Sequence, residues 1–545
     1  MNDKILHNPI LPGFYPDPSI CRVNDNFYLI TSSFSVFPGI PIFQSTDLMH
    51  WEQIGHVLDR KSQLHVTADH LGGGIMAPTI RYHNGTFYVI GTNFSDKGNF
   101  IVTATDPRGP WSDPHWLPDG PGIDPSLFFD DDGRAYFTGT RRDPKADGTL
   151  GAQVIWISEI DLEHMRLVGE NRTLWGGALN NCASPEAPHL YKKEGYYYLV
   201  IAEGGTEHYH AVTVARCKSI FGDYEGYDGN PIMTHRHLGK LYPLCNVGHA
   251  DFFELKNGEW YAVMLASRLI DGCHKNLGRE TFIAPVTWEE GWPVISPGTG
   301  KIEWSYPAPD LPVFSPQSIP VRDDFDGDRL RMDWIFFGTP NDDFYSLADS
   351  GLTLKLLPRS MAPKLEKIDF TKIGREHHVP NLSFVGRRQQ HPSFRASLRM
   401  RFHARSENEA SGLVIMQASN HQFRLERSME NDKQILRLIQ CASQLEGYPH
   451  LPHFKAETTE VELAKIDIES EEIILGIVAE EQAFHFYYGI SEGSLTPLYK
   501  NADGRLLNPE IVGGMVGTLI GMYASSNGKE SANVAVFDWF YYEGA

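Results

Sequence analysis

The chain has 545 residues, of which 41% are hydrophobic and 12% aromatic, which is the composition of a globular protein. This length exceeds one ordinary hydrophobic core, so we expect two domains. The formal net charge of -21 would repel a polyphosphate backbone or an anionic membrane surface, so neither nucleic acid nor membrane is expected as a partner. A neutral ligand is indifferent to this charge.

Targeting signals and paired cysteines are not visible in the sequence. No basic region followed by an apolar run opens the chain, and no stretch reaches the roughly 18 apolar residues of a membrane span. The six cysteines are scattered and contain no CxxC pair, which fits neither a disulfide framework nor a zinc ribbon. We therefore expect reduced thiols and a cytoplasmic protein.

An internal repeat occupies the N-terminal part of the chain. Each copy has a short apolar run, a polar turn and an aromatic-rich apolar run, which together predict a β-hairpin. The copies begin at Pro18 (PSICRVNDNFYLITSS), Pro78 (PTIRYHNGTFYVIGTN), Pro125 (PSLFFDDDGRAYFTGT), Pro188 (PHLYKKEGYYYLVIAE) and, in degenerate form, Ala250 (ADFFELKNGEWYAVML). Their spacings of 60, 47, 63 and 62 residues leave room for two more strands per copy. Four strands repeated five times predict a five-bladed β-propeller over residues 1–305.

The sequence pattern changes near residue 305. Five prolines lie within SYPAPDLPVFSPQSIPVR, which predicts an extended linker over residues 306–321. Further strand-like segments follow, such as GLTLKLLP, FRASLRMRFHA and IILGIVAE, without the hairpin repeat. This pattern predicts a β-sandwich over residues 322–545.

Acidic residues stand directly before several copies of the repeat. The first strand of each propeller blade lines the central channel, so the residues before each copy should meet at one mouth. These residues are Asp17, Met76-Ala77, Asp124, Glu186-Ala187 and His249. Like charges in a partly desolvated mouth are costly, which favours a catalytic over a structural interpretation.

Such a cluster of acids suits the hydrolysis of a glycosidic bond. One carboxylic acid donates a proton to the leaving oxygen, while a second activates water or attacks. A third can raise the pKa of the acid and orient it. Each residue alone also has a structural interpretation: Asp17 and Asp124 precede Pro-Ser, which commonly starts a turn, and a lone His249 is typical of a core. Glu186 is harder to explain as a cap, because Pro188 excludes a helix.

Several long phrases resemble glycoside hydrolase family 43, in particular its two-domain β-xylosidases and α-L-arabinofuranosidases. They are NPILPGFYPDPSICRV, GIDPSLFFDDDG, PEAPHLYKKEGYYYLVIAEGGTE, VGHADFF and LGRETFIAPVTWEEGWPV, followed in the distal domain by DDFDGDRLRMDWIF and GTLIGMYASSNG. The resemblance implies an all-β fold with a five-bladed propeller and a sandwich of the concanavalin-like jelly-roll kind that closes the pocket. It also implies hydrolysis with inversion of configuration.

The resemblance assigns the three acids to roles. Asp17 would be the general base that activates water, Glu186 the general acid, and Asp124 the group that tunes and orients Glu186. Arg279 matches an arginine that hydrogen-bonds the sugar, although a surface arginine at a strand start is the structural alternative.

Further positions matched by the resemblance concern the pocket walls and the channel. Phe34 matches an aromatic wall, which buried packing would also explain. His249 matches a histidine near the channel axis that in some members helps to hold calcium or another divalent cation. Two residues depart from the family pattern: Met76 stands in place of an aromatic residue against the sugar, and Met515 in place of a phenylalanine at the pocket rim. Methionine lacks a rigid stacking face, so these changes bear on sugar identity.

These observations predict an exo-acting, inverting enzyme that releases terminal β-1,4-linked D-xylose from xylo-oligosaccharides. An α-L-arabinofuranosidase, or a dual enzyme acting on arabinoxylan fragments, is the first alternative, and a non-catalytic sugar-binding propeller is a remoter one. Fructan and sucrose hydrolases share the architecture, but their Asn-Asp-Pro-Asn-Gly and Glu-Cys motifs are replaced here by Tyr-Pro-Asp-Pro-Ser and Glu-Ala. We expect no required cofactor, and we expect a homo-oligomer.

Overall fold

The computed structural model describes residues 4–67, 72–145, 152–179, 184–341, 343–348, 351–362, 381–446, 455–512 and 515–545. The described chain is almost entirely β-structure. Five four-stranded antiparallel sheets follow one another in its N-terminal part, so the predicted five-bladed propeller is confirmed. Each repeat copy supplies the first two strands of one blade.

The strands of each blade run in chain order from the channel outward. They are Ser19–Val23, Asn26–Ile30, Gly39–Ser45 and Glu52–Leu58 in blade 1; Ile75–His83, Thr86–Asn93, Gly98–Ala104 and His115–Trp116 in blade 2; Ile123–Phe129, Ala135–Arg142, Gln153–Asp161 and Arg166–Trp175 in blade 3; Glu186–Lys193, Tyr196–Glu203, Ala211–Cys217 and Glu225–Gly226 in blade 4; and Leu244–Glu254, Trp260–Arg268, Glu280–Glu289 and Trp292–Ile295 in blade 5. First strands of neighbouring blades contact one another, and that of blade 5 contacts that of blade 1, which closes the ring.

In several blades a two-residue turn connects the first strand to the second. Asn84-Gly85 and Glu194-Gly195 have positive φ at both residues, the type I′ geometry whose twist matches that of paired strands. Neighbouring blades then pack through their apolar faces. In one such cluster, Ile157 of blade 3 lies with Leu199 and Ile201 of blade 4. Burial of each such side chain contributes about 1.5–3 kcal/mol.

The N-terminus is tied to the end of the propeller. Ile5–His7 pairs with Ser305–Pro307, and Leu11 bridges to Thr281 of blade 5. Within this pair the buried Tyr306 lies opposite Leu6. Residues 306 and 307, at the start of the expected linker over residues 306–321, therefore belong to a strand that is paired with the N-terminal segment.

The C-terminal part forms the predicted sandwich. Its first sheet has the order Tyr345–Ala348, Gly351–Lys355, Val534–Gly544, Phe394–Arg401, Glu472–Glu480, Ala483–Gly489 and Thr496–Asp503, with Arg322–Asp323 also paired to Val534–Gly544. Its second sheet has the order Phe384–Arg388, Leu519–Ser525, Ala410–Ala418, His421–Glu430, Lys433–Glu446 and Lys455–Asp467. The core between them includes Leu398 and Leu475 from the first sheet and Leu413 from the second.

The sandwich is joined directly to the propeller. Val36–Phe37 pairs with Phe336–Phe337, so one small sheet contains a strand from each domain. The segment around Asn276 supplies further bonds, since its carbonyl accepts from the Thr518 N–H at 2.9 Å. Among the described residues, the short helical segments are the 3-10 turns Arg236–Leu238 and Gly504–Leu507 and the helix Pro509–Val512. Within the described residues no helix is long and apolar enough to cross a membrane.

Candidate active site

One backbone feature recurs at the same repeat position of all five blades. The residue directly before each repeat copy has a left-handed backbone, which is uncommon for residues other than glycine. These residues and their φ angles are Asp17 (54°), Ala77 (41°), Asp124 (53°), Ala187 (51°) and His249 (53°). In blades 2 to 5 the strand pairing shifts at this point, as in a β-bulge. Such bulges re-aim side chains and are common next to active sites.

Glu186 does not occupy that position. It precedes Ala187, as Met76 precedes Ala77, so Asp17 and Asp124 share a repeat position and Glu186 lies one residue earlier. The backbone N–H of Ala187, the next residue, donates to the carboxylate of Asp124. Glu186 and Asp124 thereby lie close enough to interact electrostatically.

Asp17 is buried and held by three groups. Its Oδ1 accepts from Nη1 of Arg279 at 2.8 Å and lies 3.5 Å from Nδ1 of His249. Its Oδ2 accepts from the hydroxyl of Ser32 at 2.6 Å. Burial alone would raise the pKa of Asp17, but Arg279, His249 and Ser32 outweigh it and hold that pKa below its usual value. Asp17 is therefore an ionised carboxylate at neutral pH.

Glu186 and Asp124 behave in the opposite way. Burial raises the pKa of Glu186 to about 7, and repulsion from Asp17 adds to this while hydrogen bonds from Ser184 and Gln153 oppose it. Burial, then the charges of Glu186 and Asp17, raise the pKa of Asp124 well above its usual value. Since the two groups interact, they titrate as a pair, and this pair retains a proton near neutral pH.

Arg279 connects Asp17 to both domains. Besides Asp17, its Nη1 donates to Oγ1 of Thr206 at 2.9 Å, and its Nη2 donates to the backbone carbonyl of Met515 at 3.3 Å. Its guanidinium lies over the ring of Phe34, 5.5 Å from the centroid. Arg279 is thus a buried residue at the end of the channel, and its alternative as a surface arginine is wrong.

The two expected wall residues differ in accessibility. Phe34 is only 1% exposed and packs on Phe14 at 5.4 Å between ring centroids, so it supports Arg279 from beneath. Met76 is half-buried and packs against the apolar cluster that contains Phe14 and Phe34. The wall role of Phe34 stays a prediction, because so little of its ring is accessible here.

A cleft lies between the domains at Arg279. Its volume is about 250 Å³ including its open mouth, and its lining comes from both domains: Thr206, Glu207, Asn246, Ser267, Lys275, Gly278, Arg279, Pro509, Met515 and Val516. Met515 is 38% exposed, at the place expected for a rim residue. Lys275 forms ion pairs with Glu207 of the propeller and Glu510 of the sandwich, which fixes the two walls to each other.

The channel beneath the acids contains a buried polar network. Asp251 accepts two hydrogen bonds from Arg81, at 2.8 and 2.9 Å, and others from Ser19 and Tyr191. Nδ1 of His189 lies 3.0 Å from Arg81, while its buried Nε2 has no hydrogen-bond partner among the described residues.

This network bears on the expected cation. Among the described residues no group of three or more His, Cys, Asp or Glu side chains is arranged to hold a metal ion. His249 directs Nδ1 toward Asp17. The role of His249 as a metal ligand therefore stays a prediction.

Sequence reasoning missed several residues of this site. Ser32, Thr206 and Lys275 carry hydrogen bonds or ion pairs at the acids or the cleft, yet none stands in the repeat position that identified the acids. Thr206 lies within the quoted phrase EGGTE, which could have suggested it. Ser32 lies within YLITSS, which looks like the end of any buried strand, so the sequence does not mark it as a site residue.

Comparison with known proteins agrees with the fold described above. Residues 6–293 match the family described as glycosyl hydrolases family 43, and residues 322–543 match the beta xylosidase C-terminal concanavalin A-like domain. The chain is 45% identical to a xylosidase/arabinosidase of Butyrivibrio fibrisolvens over 99% of both chains. It is 39% identical to the non-reducing end alpha-L-arabinofuranosidase BoGH43B of Bacteroides ovatus, over 98% of this chain and 94% of that one.

A solved structure extends the comparison to three dimensions. The xylan beta-1,4-xylosidase of Bacillus halodurans superimposes with a TM-score of 0.87 at 33% identity, over 99% of this chain and 100% of that one. The sequence matches and the structural match each span both domains. The chain is a glycosidase and belongs to glycoside hydrolase family 43.

Proposed function

We propose that this enzyme removes single pentose units from the non-reducing ends of xylo-oligosaccharides, with inversion of configuration. The observation that carries this proposal is the opposed titration of the acids. Asp17 is held ionised, whereas Glu186 and Asp124 hold a proton between them. Groups whose pKa values are driven apart are the signature of an acid and a base in one site.

The proposed reaction is a single displacement. Asp17 accepts a proton from a water molecule, which attacks the anomeric carbon from the face opposite the leaving oxygen. Glu186 donates its proton to that oxygen as the glycosidic bond breaks, so the leaving saccharide departs as an alcohol. Asp124 keeps the proton on the pair at neutral pH by repelling a second negative charge. Two carboxyl groups and water complete this scheme, so we propose that no cofactor is required.

The preferred pentose is proposed to be β-1,4-linked D-xylose. The Bacillus halodurans structure carries the name of an enzyme for that linkage, and its match covers both domains. A dual xylosidase and arabinofuranosidase is the second candidate. It is supported by the name of the Butyrivibrio relative and by the two methionines, Met76 and Met515, which offer adaptable walls in place of rigid aromatic ones.

The remaining expectations are also proposals. A neutral oligosaccharide would be the only partner of the site, with no nucleic acid or membrane, and the chain would form a homo-oligomer in the cytoplasm. A divalent cation in the channel would not take part in the chemical step. Its ligand would be the Nε2 of His189, which has no hydrogen-bond partner among the described residues.

A panel of substrates tests the proposal. Initial rates would be compared on 4-nitrophenyl β-D-xyloside, 4-nitrophenyl α-L-arabinofuranoside, xylobiose and an arabinose-substituted xylo-oligosaccharide, with and without a chelator. Xylobiose should be cleaved to xylose at an unchanged rate in the chelator. Comparable rates on the xyloside and the arabinoside would favour the second candidate, and failure on all four would contradict the proposed function.

A further inference from the structure

Ser32 lies beside Asp17 and is fully buried. It follows the second strand of blade 1, and its backbone N–H donates to the carbonyl of Pro16 at 3.0 Å, which fixes it next to Asp17. Its hydroxyl donates to Oδ2 of Asp17 at 2.6 Å and accepts from the backbone N–H of Ala77 at 2.7 Å. One hydroxyl therefore connects the left-handed residues of blades 1 and 2.

The direction of the hydroxyl proton follows from these contacts. An amide N–H can only donate, so the oxygen of Ser32 must accept from Ala77. A carboxylate can only accept, so the single hydroxyl proton must point at Asp17. This bond has a charged acceptor and is short, which places it among the stronger hydrogen bonds of a protein.

Asp17 thus has a separate donor on each oxygen. Arg279 holds Oδ1 from blade 5, and Ser32 holds Oδ2 from blade 1. Two donors from different strands restrain rotation of the carboxylate plane. Arg279 also contacts Thr206 and borders the cleft, so it is shared with other groups, whereas the donated proton of Ser32 is given to Asp17 alone.

We propose that Ser32 is a positioning residue for the general base: its hydroxyl orients the Asp17 carboxylate toward the attacking water and keeps it ionised. This inference rests on the proposed role of Asp17. It adds a function for a fully buried residue that lies outside the repeat position of the acids.

The neighbouring Ser33 provides a matched control. It is equally buried, and its hydroxyl oxygen accepts from the backbone N–H of Ile40 within blade 1. Ser33→Ala therefore removes a buried hydroxyl of the same size, one residue away, from a bond that does not reach the acids. Loss of packing or local folding should affect both variants alike.

Ser32→Ala should act on the chemical step. A hydrogen bond to a charged group corresponds to a pKa change of about one to two units, so the acidic limb of the kcat/KM profile should move upward by about that amount. A misoriented base should lower kcat by about 10- to 100-fold, since general base catalysis contributes about 10² to 10⁴ in rate. KM should change by less than about threefold, because Ser32 is fully buried and does not line the cleft.

The experiment measures kcat, KM and the pH profile on xylobiose for the full chain, Ser32→Ala and Ser33→Ala, with unfolding by urea as the folding control. Ser32→Cys, which is similar in size but a weak donor, repeats the test should the alanine variant not fold. The proposal expects the shifted limb in the Ser32 variants and none in Ser33→Ala. An acidic limb that stays in place in a folded Ser32 variant, or equal losses in both serine variants, would overturn it. A wild-type chain inactive on every pentoside would instead count against the proposed function itself.

Discussion

Replacement of Glu186 by glutamine should make the loss of rate depend on the leaving group. Glutamine has nearly the same shape as glutamic acid but carries no proton that it can give to the glycosidic oxygen. The pKa of wild-type Glu186, raised to about 7 by burial, keeps a proton on its pair with Asp124 in most molecules at pH 6. The substitution therefore removes an acid that is present in nearly every active molecule.

The magnitude follows from what that proton does. The leaving group of xylobiose is a sugar alkoxide unless it is protonated, so the full contribution of general acid catalysis should be lost, about 10² to 10⁴ in rate. This corresponds to about 3–5 kcal/mol of transition-state stabilisation. A 2,4-dinitrophenolate leaves without protonation, so on the dinitrophenyl xyloside the variant should lose less than about tenfold in rate, with the other catalytic groups intact.

The assay compares initial rates of wild type, Glu186→Gln and Asp17→Asn on both substrates at pH 6. Asp17→Asn is the contrasting variant, because loss of the base should slow both substrates by a similar factor. On the dinitrophenyl substrate, the rates of wild type and Glu186→Gln should both stay nearly constant above pH 7, because departure of this leaving group needs no proton. Equal losses by Glu186→Gln on xylobiose and the dinitrophenyl xyloside would refute its assignment as the acid.

Three further predictions use other parts of the structure. In wild type, kcat/KM on xylobiose should fall as pH rises through about 7, because the raised pKa of Glu186 leaves the acid protonated only below that value; a rate that stays constant to pH 9 would contradict it. Gly278→Ala should lower activity by at least tenfold while the propeller stays folded, since its β-carbon would lie 2.9 Å from the sandwich backbone. The control Gly258→Ala has the same left-handed backbone but no described atom within 4 Å, so it should change thermal stability only. Equal activity losses in the two variants would argue against a role for contact between the domains. Asp251→Asn should lower the free energy of unfolding by about 3 kcal/mol, because it leaves the buried Arg81 unpaired. Asp25→Asn, which breaks a surface ion pair, should lower it by less than about 1 kcal/mol. Similar values for both variants in urea titrations would show that the channel network does not stabilise the fold.

The repeat made the propeller predictable from the sequence. Pro18, Pro78, Pro125 and Pro188 open hairpins whose turns and apolar runs are local features, so each blade could be placed without long-range information. The same spacing located Asp17 and Asp124, because equivalent positions of a closed ring must converge. Glu186 was found with them because it stands directly before Ala187 in the fourth copy. Its offset of one residue from the position of Asp17 and Asp124 is visible only in the strand register.

The contacts between the domains could not be predicted in this way. Arg279 meets the backbone carbonyl of Met515, and Gly278 meets Gly517, across 236 and 239 residues of chain respectively. A carbonyl acceptor carries no side-chain signal, and a glycine required by close approach looks like any turn glycine. Ser32 was missed for a related reason, because its importance comes from two partners that only the closed ring brings together.

The most direct test of the account is the configuration of the first product. Proton NMR of the reaction on an aryl β-xyloside, recorded before mutarotation, distinguishes the two anomers of xylose, because its leaving group adds no second sugar to the spectrum. If Asp17 activates water while Glu186 protonates the leaving oxygen, α-xylose should appear first and the β-anomer should grow in later. Initial release of β-xylose would mean that a carboxylate attacks the sugar directly, and would contradict the roles given to both residues.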